Sequence, residues 1–178
     1  MTERFNRLSS QMGTEKGIFD HTYSGGVVES IKIDHKEVGE AGLNARLAGF
    51  FGVPVILVSG DQQVCKDVKN EIGEIETVPV KTALSRYCAK NLPYENVIKK
   101  YEASVKKAME SIGSAKPMPK AEKLTIEINF LQSVMAEAVV NVPEIVKTGE
   151  RTVRYQGADI SDIYRVMRSA ITLASTLL

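Results

Sequence analysis

Few side chains in this sequence have the chemistry to do more than fold. Two histidines occur, His21 in Phe19-Asp20-His21-Thr22-Tyr23 and His35 in Asp34-His35-Lys36-Glu37. An imidazole moves protons near neutral pH or ligates a metal. The repeated Asp-His pair invites a joint metal site. In extended chain, however, adjacent side chains point to opposite faces, so each pair offers one ligand to a given point. Glu40 stands between Gly39 and Ala41-Gly42. A carboxylate is favoured at a helix N-terminus in any case, but two glycines beside it leave room for the backbone to approach a ligand. Lys81, Ser85 and Arg86 follow a run of β-type residues and offer two cations and a hydroxyl at the strand end where α/β sheets bind ligands. Cys65 lies on an apolar stripe and reads as core. Cys88 has no histidine or CxxC partner in sequence, so nothing activates it as a nucleophile.

The elements that must hold these residues follow from composition and pattern. The 178 residues allow one domain or two small ones. Hydrophobic residues make up 43% and charged residues 25%, the balance of a folded globular chain rather than a disordered one. Lys plus Arg is 23 against 22 for Asp plus Glu, a net charge of +1, so no bulk field recruits nucleic acid or an anionic membrane. The lysines at 99, 100, 106 and 107 are offset by Glu95, Glu102 and Glu110 and read as a solvated helix face. Two cysteines are too few for a disulfide framework. The polar start carries no secretory h-region, and no apolar stretch approaches the ~20 residues of a spanning helix. A cytoplasmic protein is expected.

Residues 1–20 read as an irregular lead-in. Val27, Val28, Ile31 and Ile33 predict a strand. Apolar positions at helical spacing predict a helix over 40–51, closed by Gly52. The continuous run Val53-Pro54-Val55-Ile56-Leu57-Val58 predicts a strand covered on both faces. Asp61 is placed to cap the next helix, and Thr77, Val78, Val80 and Thr82 suggest a further strand. Helices are predicted over 94–113 and 132–139, strands over 124–130 and 152–155, and a last helix capped by Asp159. The fold class is α/β: an incomplete three-layer parallel sheet over 1–90, followed by a smaller two-layer α+β unit over 91–178.

The motifs then carry a resemblance. Gly-Thr-Glu-Lys-Gly-Ile-Phe-Asp-His-Thr-Tyr-Ser (13–24), Val-Gly-Glu-Ala-Gly-Leu-Asn (38–44), Gly-Val-Pro-Val-Ile-Leu-Val-Ser-Gly-Asp (52–61), Val-Lys-Thr-Ala-Leu-Ser-Arg (80–86) and Arg-Thr-Val-Arg-Tyr (151–155) stand in order along most of the chain. Together they resemble the zinc-dependent D-aminopeptidases of the DppA type. The resemblance implies hydrolysis of the N-terminal (D-)amino acid of short peptides at a dinuclear zinc centre. It implies that Glu40 is a zinc ligand and His21 the histidine beside the metals. Asn44, Lys81, Ser85 and Arg86 match recurrent family positions and are expected near the substrate.

Family chains carry a further N-terminal stretch with an Asp-x-Glu pair and a histidine, and another histidine where Ser9 or Ser10 stands here. A catalytic zinc takes about three protein ligands, and the matched positions offer one carboxylate and one histidine. The expectation is therefore a C-terminal portion of the enzyme that lacks most metal ligands. It would act with a separately encoded N-terminal half or as a homo-oligomer. The alternative is a non-catalytic subunit that keeps the fold and the oligomer interface.

Overall fold

The computed structural model describes residues 17, 18 and 21–178. The elements run β1 (Val28–Ile33), β2 (Lys36–Glu37), α1 (Glu40–Phe50), β3 (Leu57–Asp61), α2 (Gln62–Ile72), β4 (Glu76–Ser85) and β5 (Cys88–Asn91). They continue with α3 (Tyr94–Ser111), β6 (Glu122–Phe130), α4 (Ser133–Val139), β7 (Val146–Lys147), β8 (Thr152–Asp159) and α5 (Ile160–Ser175). No described helix is long and apolar enough to cross a membrane.

The chain forms two compact units, and neither is continuous in sequence. One holds Glu40–Pro119 with Gly17 and Ile18; the other joins His21–Gly39 to Lys120–Leu178. This grouping differs from a division near residue 90. The strand at 28–33 pairs with β6, a hundred residues downstream, and α3 packs back on the sheet that precedes it.

In the first unit β3 and β4 run parallel, with α2 as the crossover, and β5 folds back antiparallel on β4. Val58 joins Ala41, Ala45, Ala48, Val64 and Val68 of α1 and α2 in a buried cluster. Its neighbour Ser59 hydrogen-bonds through its hydroxyl to Tyr101 of α3. Adjacent strand residues face opposite ways, so α1 and α2 cover one face and α3 the other. This is the three-layer arrangement. Its third layer is a helix the sequence reading assigns to the next domain.

The expected strand 53–58 begins only at Leu57 and runs on to Asp61. Residues 52 and 53 are used in closing α1: the Val53 N–H donates to the Ala48 carbonyl at 2.9 Å, and Gly52 takes φ +74°. Ahead of Leu57, Val55 is buried in the core with Val53 packed against it, and the Ile56 carbonyl accepts from the Glu76 amide at 3.3 Å. Asp61 caps α2, its carboxylate accepting from the Gln63 and Val64 amides at 2.8 and 2.9 Å.

The second unit is an antiparallel sheet of order β2-β1-β6-β8-β7. The inward residues of β6, namely Leu124, Ile126, Ile128 and Phe130, are buried, as period-two alternation requires. The layer of α4 and α5 adds Met135, Val139, Ile163, Met167 and Ala170, all fully enclosed. Asp34 and His35 both take positive φ, 47° and 66°, the backbone of a two-residue hairpin turn. Asp34 Oδ1 accepts from the Thr125 amide at 2.9 Å, so that carboxylate ties the hairpin to β6. Asp159 caps α5 by accepting from the Asp162 amide at 2.9 Å. The short strands β2, β5 and β7 have no counterpart in the sequence reading.

Candidate functional site

His21 precedes β1 in a tight loop. The Ser24 amide donates to the Thr22 carbonyl at 2.7 Å, and the Ser24 carbonyl accepts from Val27 and Val28 at 3.1 and 2.9 Å. Tyr23 takes φ 60°, a left-handed backbone conformation. Its ring packs edge-on against Tyr164 at 6.0 Å and under the Arg168 guanidinium at 5.8 Å, both on α5. A side chain at Gly25 would press on His21 Cβ at 3.2 Å, so the glycine lets the chain fold back over the histidine. His21 is thus a half-buried imidazole on a loop fastened at several points. His35 is exposed at its hairpin turn, and Asp20 lies outside the described residues.

Glu40 opens α1 in the first unit, half-exposed, where the positive end of the helix dipole favours its charge. Asn44 is one turn further on, and residues four apart share a helix face. The structure therefore brings these two side chains to one face. Leu43 and Ala45, between and after them, point into the core.

The glycine at 42 has a use other than ligand approach. A methyl group there would overlap the carboxylate of Glu71 on α2. Arg46 grips that carboxylate from Nη1 to Oε1 at 2.6 Å, and the same Nη1 reaches the Gly42 carbonyl at 3.1 Å. What lies on the bare backbone is a side chain of the protein itself.

Lys81 and Arg86 are separated. Lys81 sits within β4, not past its end, in register with Asp61 and Asn91. β4 outruns β3 in order to pair with β5, so Lys81 lies level with the carboxyl end of β3. Ser85 and Arg86 are exposed at the β4–β5 hairpin tip, where the guanidinium covers the Tyr87 ring at 5.7 Å. Five residues of extended chain place the tip roughly 16 Å from Lys81. The two cations do not converge on one small group.

Cys65 is buried and Cys88 exposed. Enclosure of Cys65 pushes its thiol up to about 11; the Gly60 backbone contact partly offsets this, and the Asp61 charge adds to it. Arg46 and Glu71 escaped the sequence reading because 25 positions separate them, and each alone looks like a solvated helix charge.

A three-layer unit whose α1 opens on Gly-Glu-Ala-Gly-Leu-Asn and an antiparallel α+β unit define a two-unit mixed α/β chain. The chain belongs to the M55 peptidase family, described as D-aminopeptidase, whose model matches residues 9–169. It is similar to a D-aminopeptidase of Bacillus subtilis (strain 168), 30% identical over 159 residues, covering 89% of this chain and 58% of that protein. It is also similar in structure to the zinc-dependent D-aminopeptidase DppA from Bacillus subtilis, described as a self-compartmentalizing protease. The TM-score there is 0.88 at 29% identity, over 94% of this chain and 61% of the other. The chain thus spans about three fifths of the length of these relatives.

Zinc is implied by the second relative's name. Glu40 and His21 are of the right kind, a carboxylate oxygen and an imidazole nitrogen. Among the described residues, however, no three His, Cys, Asp or Glu side chains gather into a group able to hold a metal ion. The described donors do not by themselves fit a zinc site. Ser9 and Ser10, expected where a family histidine falls, lie outside the described residues.

Proposed function

We propose that this chain works in a zinc-dependent D-aminopeptidase that releases the N-terminal residue of short peptides. In this reading Glu40 supplies one metal ligand, and the remaining donors come from outside the described residues. The chain acts within an assembly, either of its own copies or with a separately encoded N-terminal half. The observation that carries the reading is the family match along residues 9–169, within which the Gly-Glu-Ala-Gly-Leu-Asn segment sets Glu40 on the accessible first turn of α1.

The protein's own groups have defined tasks. A peptide hydrolase must hold the peptide, activate water and protonate the leaving amine. His21, on its fastened loop, is the proton-transferring group. Asn44 shares the helix face of Glu40 and suits the peptide backbone, as an amide both donates and accepts. Lys81, level with the carboxyl end of β3, provides a cation for the peptide carboxylate. Arg86 serves at the hairpin tip, apart from Lys81.

The test is metal content by elemental analysis and D-alanine release from D-Ala-D-Ala by the purified chain in its assembled form, together with any separately encoded N-terminal half. Bound zinc and turnover are expected, with Glu40→Gln lowering both and His21→Ala lowering turnover by ~10²-fold or more. A chain that holds no stoichiometric zinc and shows no turnover is a non-catalytic assembly subunit instead.

A further inference from the structure

We infer that Arg46 and Glu71 are positioning residues that set the head of α1, and so the Glu40 carboxylate, in its working place. The inference rests on the reading of Glu40 given above. Towards α2 the apolar contacts of α1 are small, Ala41, Ala45 and Ala48 against Val58, Val64 and Val68; its one large buried side chain, Leu43, lies outside that cluster. Such a surface decides that α1 lies on α2 but specifies rotation and axial register poorly, because dispersion contacts have no direction. The ion pair supplies direction. Arg46 Nη1 lies 2.6 Å from Glu71 Oε1, and the two side chains are only 22% and 15% exposed. The same nitrogen reaches the Gly42 carbonyl at 3.1 Å, which adds a second angular constraint inside the first turns of the helix. A charge-assisted bond of this kind is short and geometrically demanding.

Gly42 completes the device. The Glu71 carboxylate occupies the space of a side chain at 42, so α2 meets the α1 backbone two residues from Glu40. α2 is itself fixed at its N-terminus by the Asp61 cap. Position thus passes from the end of β3 through α2 and the Glu71–Arg46 pair to Glu40. The second glycine of the motif serves this packing rather than the approach of substrate. Alanine at 42 and loss of the Glu71 carboxylate then damage the same thing.

The test compares Glu40→Gln, Arg46→Ala, Arg46→Lys, Glu71→Ala, Gly42→Ala and the Gly42→Ala/Glu71→Ala double variant. The readouts are D-alanine release from D-Ala-D-Ala, melting temperature, and amide exchange across residues 40–46. Expected is a fall in kcat of ~10²-fold for Arg46→Ala and Glu71→Ala with little change in KM, the size of effect that follows a small misplacement. Arg46→Lys should recover part of it with melting unchanged. The double variant should be no worse than Glu71→Ala alone, since both changes disrupt one contact. Multiplying defects would assign Gly42 to ligand approach and overturn the inference. Wild-type kcat in Arg46→Ala and Glu71→Ala alongside an inactive Glu40→Gln overturns the clamp and leaves the Glu40 reading standing; a fully active Glu40→Gln overturns that reading itself. Exchange across 40–46 needs no turnover. It should quicken in the Arg46 and Glu71 variants, and an unchanged rate also overturns the inference.

Discussion

Two thiols of one chemical type behave differently here because their surroundings differ. Cys65 faces the core on α2, and enclosure holds its thiol up to about 11 against an ordinary value of 9.0. Cys88 starts β5 in the open. At pH 8 a thiol reagent should therefore titrate one cysteine in the folded protein and two after denaturation; rapid modification of both without unfolding would contradict the burial of Cys65. The same shift has a consequence for stability. A folded-state value raised above the unfolded one means the contribution is full below about 9 and is lost as pH climbs towards about 11. The loss attributable to this group is roughly 2 to 3 kcal/mol. Denaturant midpoints of Cys65→Ala should fall less steeply between pH 9 and 11 than those of the parent protein. The apolar stripe of 64, 65, 68 and 72 made the burial of Cys65 readable from sequence, since period 3.6 puts those positions on one face. The Arg46–Glu71 contact had no such periodic sign.

At the scale of elements, the termini of helices are decided by a few hydrogen bonds. Asp61 and Asp159 each accept amides of the first turn that follows them. Both caps were visible in advance, because an aspartate ahead of an apolar-periodic run is the cheapest way to satisfy those amides. Replacing Asp61 by alanine should cost about 1–2 kcal/mol in the unfolding free energy, read from the urea midpoint. A change within error would mean that α2 begins independently of its cap. In the second unit Met167 is fully enclosed on α5. Met167→Ala should cost about 2–5 kcal/mol by the lost transfer energy and the cavity left behind. The 53–58 run shows where local reading fails. Its residues suit a strand, yet the closing bonds of α1 engage Val53 and leave pairing to start at Leu57.

The described residues form two units, and the second draws its strands from two separate stretches of chain, 21–39 and 120–178. The expected assembly belongs at this scale. Size-exclusion chromatography with light scattering should give a mass that is a multiple of the 19.5 kDa chain. A strictly monomeric species at micromolar concentration would remove the homo-oligomer from the proposed function. The relative described as self-compartmentalizing makes such association the reading to test first.

Composition, periodicity and capping residues were enough to settle which segments are helix and which are strand in most of the chain, and that its class is mixed α/β. These depend on neighbours within a few residues, and the signal is therefore written locally. The motif strings went further and marked the family, with Glu40 at a helix start. Only the tertiary structure decided that residues 28–33 complete a sheet made by 122–130 and 152–159, that α3 is the third layer of the first unit, and that Gly42 makes room for Glu71. Each of these joins residues 25 to about 100 positions apart, where loop closure leaves no periodic trace and the choice of partner rests on packing that exists only once the chain has folded.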